Sequence, residues 1–252
     1  MIRSPRAWAL EQNDRRISFA SGPEATLFAE SRPFRVARHR LPAWKAVLPI
    51  GGHAQLLRPG GPMVTAPGLI VPPQLDHSCA ATSPYIALFI DPWLLPSRPG
   101  PISLDADEAR RVLAALDTSN SGSPGTCVDL AAGYAELQSL TGRPTPLDPR
   151  VAHAIDLCTR RDPDLPIAHI AGEISLSAPR LRALVQQNLG IPLTRLRRWS
   201  RLRTAIADLP ASNAALAAAT AGFADQAHLT RTARDFIGRT PGSIRVGTRS
   251  GT

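Results

Sequence analysis

The chain has 252 residues, of which 43% are hydrophobic, enough for two ordinary domains that each bury an apolar core. This composition excludes a mainly disordered chain. The net charge of +9 is unevenly shared, because residues 1–147 carry 14 basic and 12 acidic side chains and residues 148–252 carry 15 and 8. Such segregation indicates a polyanionic partner for the carboxyl-terminal region. The alternative, a solubilising surface charge, explains the total but not its distribution.

The three cysteines, Cys79, Cys127 and Cys158, lie far apart and lack the spacing of metal ligands. We therefore predict no structural disulfide and a reducing compartment. Residues 1–16 mix charged side chains with few apolar ones, and no stretch of the sequence is long enough to cross a bilayer. The expected location is the cytoplasm, with no membrane partner.

Between residues 17 and 95, proline and glycine divide the chain into short apolar segments rich in valine, isoleucine and aromatic residues. Segments of this length and spacing are typical of strands in a β-sandwich or a small barrel. The predicted strands cover residues 44–50, 54–57, 63–66, 68–71 and 85–90.

Two helices are predicted after the strands. Asp105 and Glu108 have the spacing of a capping box, and Val112 and Leu116 continue as an apolar stripe. The second helix is predicted for residues 128–140. These helices either close the end of the barrel or pair with a second copy of the chain.

Residues 141–147 form the predicted linker, because two prolines and a glycine within this segment resist continuation of a helix or a strand. Asp148 followed by Pro149 is typical of a helix start. We therefore predict an amino-terminal domain of residues 1–140 and a carboxyl-terminal domain of residues 148–252.

The first of two helix-turn-helix patterns follows this boundary. A short helix after Pro166 precedes a second helix that is capped by Ser177 and ends at Gly190. Leu181 and Val185 lie on its inner face. Arginine can pair with guanine and glutamine with adenine, so the outer face is predicted to contact DNA bases, although the alternative is an ordinary solvated face. The predicted contact residues are Arg180, Arg182, Ala183 and Gln186.

A helix around Trp199 connects the two patterns, and its length of about 22 Å is compatible with reading helices about one DNA turn apart. The arginines at positions 195, 197, 198, 201 and 203 surround its apolar stripe. They suit contacts with phosphate. The alternative partners are Asp208 and the amino-terminal domain.

The second pattern has the same plan. Ser212 is predicted to cap its first helix and Gly222 to end it, whereas Asp225 caps the second helix, which ends at Gly238. The predicted DNA-facing residues of this second helix are Gln226, Ala227, Thr230, Arg231 and Arg234.

The motifs at residues 222–231 and 238–245 resemble the signature of the AraC/XylS family of bacterial transcription regulators, and Arg201, Leu202 and Ala205 fit the linker helix of that family. The resemblance covers about residues 150–246. It implies a sequence-specific regulator, either an activator or a repressor, whose two helix-turn-helix units enter adjacent major grooves of double-stranded DNA. It also implies RNA polymerase as a partner, and it leaves a homodimer as one open alternative.

The same resemblance implies that the amino-terminal domain is a cupin-like β-barrel that senses a small-molecule effector, so the predicted fold class is α+β. Metal-binding cupins group histidines with a glutamate, and that set is not visible here, so we expect no metal and no other cofactor. No catalytic motif is present, and we expect no enzyme activity; the alternative, a cupin-type enzyme, would require a metal. The predicted effector-binding residues in the barrel interior are His39, Trp44 and His77.

Overall fold

The computed structural model describes residues 6–12, 14–23, 25–116, 128–161 and 164–244. Its strands lie in an amino-terminal lobe and its later helices in a carboxyl-terminal lobe. Cys79 and Cys158 are buried free thiols, while Cys127 and Arg245 of the sequence predictions lie outside the described residues.

The strands of the amino-terminal lobe are short, and their limits follow the proline and glycine positions noted above. They are β1 (Arg6–Gln12), β2 (Arg15–Ser21), β3 (Ala25–Glu30), β4 (Phe34–Arg40), β5 (Trp44–Pro49), β6 (Ala54–Leu57), β7 (Met63–Ala66), β8 (Gly68–Val71), β9 (Asp76–Ala81), β10 (Tyr85–Ile90) and β11 (Ile102–Leu104).

Within the described residues, these strands form two antiparallel sheets. One has the order β1-β2-β3-β10-β5-β8-β11 and the other the order β4-β9-β6-β7. Strand β5 illustrates why both faces of the larger sheet are apolar. Trp44 and Ala46 point to its outer face and Val47 to its inner face, because side chains alternate along a strand.

The predicted α+β fold, with a sheet-rich domain before a helical one, is confirmed, but the sheets do not close into one barrel. The larger sheet ends at β1 and β11, and the smaller one at β4 and β7. A register shift between Val36 and His39 interrupts the pairing of β4 with β9. Such an irregularity bends a strand. Because the two sheets stay separate and their inner faces share one core, the lobe is a cupin-like sandwich.

The helices are α1 (Ala106–Leu116), α2 (Leu130–Thr141), α3 (Pro149–Asp156), α4 (Ile167–Glu173), α5 (Ala178–Leu189), α6 (Leu193–Asp208), α7 (Ala214–Thr220), α8 (Gln226–Ile237) and α9 (Pro241–Ile244); a π-helical turn, Leu157–Arg161, continues α3. None of the helices in the described ranges is long and apolar enough to span a membrane.

Helices α1 and α2 cover the outer face of the larger sheet. Asp105 and Glu108 form the predicted capping box, since each carboxylate accepts a hydrogen bond from the other residue's backbone N–H, at 2.8 and 2.9 Å. Val112 and Leu116 are buried. A Cβ atom at Gly133 would lie 2.3 Å from the Leu116 side chain, so glycine allows the two helices to pack closely.

The apolar residues of the described chain form three cores. The outer core lies between the larger sheet and helices α1 and α2. The shared core joins the inner faces of both sheets to helices α6–α9, and the first-unit core joins α3, α4 and α5 to the start of α6. The second helix-turn-helix unit is therefore packed against the amino-terminal lobe, whereas the first unit has a core of its own.

Candidate nucleic-acid interface and interlobe cavity

Helix α5 has the capped start, buried stripe and glycine end that the sequence predicts. The Ser177 hydroxyl accepts a hydrogen bond from the Arg180 backbone N–H at 3.3 Å, and Gly190 ends the helix with a φ of 66°. Leu181, Leu184 and Val185 are buried. The predicted DNA-facing residues are all exposed on the opposite side, namely Arg180, Arg182, Ala183 and Gln186.

Helix α8 repeats this construction. The Asp225 carboxylate accepts a hydrogen bond from the His228 backbone N–H at 2.5 Å, and Gly238 ends the helix with a φ of 66°. Leu229, Ala233 and Phe236 are buried. The five predicted DNA-facing residues line one open, shallow surface depression, with Thr230 half-buried and the others exposed: Gln226, Ala227, Thr230, Arg231 and Arg234.

The cap of α7 differs from the prediction by one residue. Asn213 is the N-cap, and its side-chain oxygen accepts a hydrogen bond from the Leu216 backbone N–H at 2.8 Å. The Ser212 hydroxyl instead donates to the Asp208 carbonyl oxygen at 2.8 Å. Both residue types are good caps, so residue type alone does not decide between them.

The arginines of α6 contact protein groups. The Arg203 guanidinium lies 3.4 Å from the Asp91 carboxylate of the amino-terminal lobe, and Arg195 lies 3.3 Å from Asp235. Arg197 donates to the Leu165 carbonyl oxygen at 2.7 Å. Arg203 therefore has the predicted alternative partner in the amino-terminal lobe, whereas these contacts of Arg195 and Arg197 lie within the carboxyl-terminal lobe.

The predicted effector residues do not come together. Trp44 belongs to the outer core, on the other face of the larger sheet from the two histidines. His39 and His77 are cross-strand neighbours whose ring centroids lie 4.2 Å apart, and each Nδ1 donates to a backbone carbonyl oxygen, at 2.8 and 2.9 Å. Burial, with the nearby Lys45 charge, lowers the pKa of His39 to about 2 and that of His77 to about 4.

An apolar cavity lies between the two lobes, and we call it the interlobe cavity. Neither Trp44 nor the two histidines line it. The amino-terminal lobe contributes Phe19, Phe28, Phe34, Lys45, Tyr85 and Phe89 to its wall, and the carboxyl-terminal lobe contributes Trp199, Arg203, Ile206, Ile237, Arg239 and Ile244.

Glu30 and Arg239 form an ion pair across the lobe boundary beside this cavity. Arg239 Nη1 donates to Glu30 Oε2 at 2.8 Å, and the Tyr85 hydroxyl donates to the same oxygen at 3.0 Å. Arg15 donates to the other carboxylate oxygen at 2.5 Å. Burial acts to raise the pKa of Glu30, but the charges and hydrogen bonds of Arg239 and Arg15 hold it below its usual value. Glu30 is therefore an ionised carboxylate that Arg15 and Arg239 share.

Sequence reasoning missed Glu30, Lys45 and Arg239 as residues of an internal site. Lys45, the one lysine of the chain, stands within the apolar segment 44–50, and a charge in such a segment is a signal for a buried functional group. Arg239 lies in the motif at residues 238–245. The resemblance of that motif to the signature of DNA-binding regulators gave no indication that Arg239 contacts the amino-terminal lobe.

The comparisons agree with this architecture. A family model described as a helix-turn-helix domain matches residues 170–246. The solved structure of ToxT from Vibrio cholerae O395 has a TM-score of 0.58 and 11% identity, covering 89% of this chain and 99% of that one. No curated protein sequence matches this chain.

A second ToxT structure, from Vibrio cholerae strain SCE256, is of the wild-type protein with an unsaturated fatty acid bound; its TM-score is 0.55 at 11% identity, with 91% of this chain and 96% of that one covered. ToxT from strain O395 bound to (E)-4-(8-methylnaphthalen-1-yl)but-3-enoic acid has a TM-score of 0.56 at 11% identity, with shares of 87% and 97%. At this identity the likeness shows a common fold.

The fold and the two capped, exposed helices define a DNA-binding transcription regulator. The residues matched by the helix-turn-helix model include the motif at residues 222–231. Residues 170–246 therefore form a helix-turn-helix domain, and they contain the motifs that resemble the AraC/XylS signature.

Proposed function

We propose that α5 and α8 are the reading helices of a sequence-specific regulator and enter adjacent major grooves of double-stranded DNA. The observation that carries the proposal is that both helices bury one apolar stripe and expose arginine and glutamine on the opposite face. These side chains have the donor pattern for guanine and adenine edges. The domain limits, at residues 140 and 148, and a cytoplasmic location remain part of the proposal.

The test begins with selection of a preferred DNA site from a random pool by the purified chain. We expect that Arg182→Ala and Arg231→Ala each weaken binding to the selected site by about 1–3 kcal/mol, because each removes one base contact. Binding to random DNA should weaken less. Fluorescence anisotropy titrations on both DNAs measure the difference.

Arg110→Ala is the matched control, since Arg110 is an arginine of α1 whose side chain is 71% exposed. It should leave both affinities unchanged. An equal loss on selected and random DNA for Arg182→Ala and Arg231→Ala would assign these residues to phosphate contact and overturn their reading role.

We further propose that the interlobe cavity is the effector site. Its wall is apolar and draws on both lobes, so an occupant contacts the amino-terminal lobe and the second helix-turn-helix unit at once. Ligand pockets commonly combine apolar walls with a few polar groups and lie between domains. The fatty acid and the naphthalenyl butenoic acid bound by ToxT support an apolar small molecule as the occupant. RNA polymerase and a second copy of the chain are proposed partners on family resemblance.

A further inference from the structure

A group of arginine side chains lies where strand β4 meets helix α6, and we call it the boundary arginine cluster. Its members are Arg38 and Arg40 of β4 and Arg195 and Arg198 of α6. The Arg195 guanidinium donates a hydrogen bond to the Arg40 carbonyl oxygen. Burial lowers the pKa of Arg195, and the charges of Arg198 and Arg40 act in the same direction, against the charge of Asp235. These guanidinium groups therefore lie close enough together to repel one another.

The carboxylates beside the boundary arginine cluster offset only part of its charge. Arg38 occupies both oxygens of Asp76, because its Nε and Nη2 donate to them at 2.7 and 2.5 Å, whereas Arg40 lies 4.0 Å from the same carboxylate. Asp235 lies 3.3 Å from Arg195. Within the described residues, four guanidinium groups thus share two carboxylates at ion-pair distance. The cluster keeps a net positive charge, and the Arg40 side chain is 52% exposed.

The boundary arginine cluster continues the DNA-facing side of α8. Asp235 follows Arg231 by one helical turn, so the two exposed side chains lie on the same face of the helix. Arg195 contacts Asp235 from the side, and Arg40 lies directly behind Arg195. A helix seated in a major groove has a phosphate backbone on each side of it. A duplex that receives Arg231 in its groove would therefore bring phosphates towards Arg40.

We propose that Arg40 binds a backbone phosphate of the DNA beside the groove that α8 enters, so that the amino-terminal lobe also contacts the duplex. This inference rests on the proposed reading role of α8. A phosphate at this position would offset the positive charge that Asp76 and Asp235 leave over. Such a contact adds affinity and fixes the orientation of the protein, but it carries no sequence information.

Fluorescence anisotropy titrations of the full chain, with the selected site and with random DNA at several salt concentrations, test the inference. We expect Arg40→Gln to weaken binding to both DNAs by the same factor, about three- to tenfold. The slope of the logarithm of affinity against the logarithm of salt concentration should become shallower by about 0.9, the contribution of one phosphate. Arg40→Lys, which keeps the charge, should keep the wild-type slope. Arg110→Gln, at the exposed site on α1, is the control and should change neither quantity.

Methylphosphonate substitutions, each of which removes the charge of one phosphate, locate the contact on the selected site. The base pair whose preference is lost in Arg231→Ala marks the groove of α8. A methylphosphonate beside that base pair should weaken binding of the wild type but not of Arg40→Gln, because the protein partner of that phosphate is already absent. Losses that add at every phosphate would overturn the contact.

Thermal unfolding distinguishes a lost contact from a folding defect. Arg40→Gln should melt at the wild-type temperature, because Arg195 donates to the backbone of residue 40 and the exposed pair with Asp76 contributes little. If the wild type selected a DNA site and Arg40→Gln bound both DNAs with the wild-type affinity and salt slope, this inference alone would be overturned. If the wild type bound no DNA, the reading role of α5 and α8 would be overturned with it.

Discussion

Burial decides the charge of the side chains inside the amino-terminal lobe. His39 and His77 are 3% and 1% exposed, and their rings face each other within a lobe that also contains Lys45. Protonating either ring would add a positive charge beside another one in an apolar environment. The same burial raises the pKa of Tyr85, so its hydroxyl remains a donor to Glu30. His39, His77 and Tyr85 are thus uncharged, whereas Glu30 is ionised.

This arrangement predicts a loss of stability in acid. In the unfolded chain both histidines take up protons below about pH 6.5, whereas in the folded chain His77 does so only near pH 4 and His39 only near pH 2. The unfolded state therefore binds more protons as the pH falls from 6.5 to 4. Each histidine should lower the free energy of unfolding by about 1.4 kcal/mol per pH unit over this range.

Urea denaturation at several pH values measures this slope. His77→Gln, which cannot be protonated, should reduce the slope by about 1.4 kcal/mol per pH unit. His53→Gln is the control, because His53 is exposed, and it should leave the slope unchanged. If the free energy of unfolding of His77→Gln changed with pH as steeply as that of the wild type, His77 would not be a source of the pH dependence.

At the scale of the elements, the ends of α5 and α8 have the same backbone conformation in different surroundings. Gly190 and Gly238 both have a φ of 66°, which glycine adopts without steric cost. No atom lies within 4 Å of a Cβ built on Gly190. A Cβ on Gly238 would lie 2.6 Å from the Ala37 carbonyl oxygen of β4. The end of α8 is therefore seated directly on the amino-terminal lobe.

Alanine substitutions at Gly190 and Gly238 separate the cost of the left-handed conformation from the cost of the contact with β4. Gly190→Ala should lower the free energy of unfolding by about 1–2 kcal/mol, the cost of a left-handed conformation in a residue with a Cβ atom. Gly238→Ala should cost about 1–3 kcal/mol more, because the added methyl group must push β4 and α8 apart. Chemical denaturation of both variants gives the comparison. Equal losses would show that the contact between α8 and β4 is loose.

At the scale of the whole molecule, the two helix-turn-helix units differ in the apolar core against which they pack. The second unit belongs to the shared core with both sheets, and the interlobe cavity borders on this core. The first unit has the first-unit core, which contains no strand of either sheet, although Trp93 of the amino-terminal lobe packs against it. Polar contacts across the boundary, including Glu30 with Arg239 and Asp91 with Arg203, reinforce this asymmetry. An occupant of the cavity would therefore contact α6, the end of α8 and the segment after it, but not the first-unit core.

Hydrogen exchange of the backbone amides tests this division without any ligand. Leu56→Ala, at a fully buried position of β6 in the shared core, should cost about 2–5 kcal/mol and speed exchange in α8 more than in α5. Ile155→Ala, at a buried position of α3 in the first-unit core, should do the reverse. If either substitution accelerated exchange equally in both helices, the two cores would unfold as one.

The amino-acid sequence by itself determined the local features of this protein. The caps at Ser177 and Asp225, the glycine ends at Gly190 and Gly238 and the apolar stripes of α5 and α8 all depend on residues within one or two helical turns, so periodicity and residue type were sufficient to predict them. The predicted strands at residues 54–57, 63–66, 68–71 and 85–90 were found for the same reason.

Only the tertiary structure decided which distant residues meet. Glu30 and Arg239 are paired although they are separated by 209 positions, and Lys45 lines a cavity whose opposite wall comes from α6 and the segment after α8. Sequence spacing carries no information about such contacts, since they depend on how two lobes dock. For that reason the DNA-facing residues could be proposed from the sequence, whereas the cavity and its buried lysine could not.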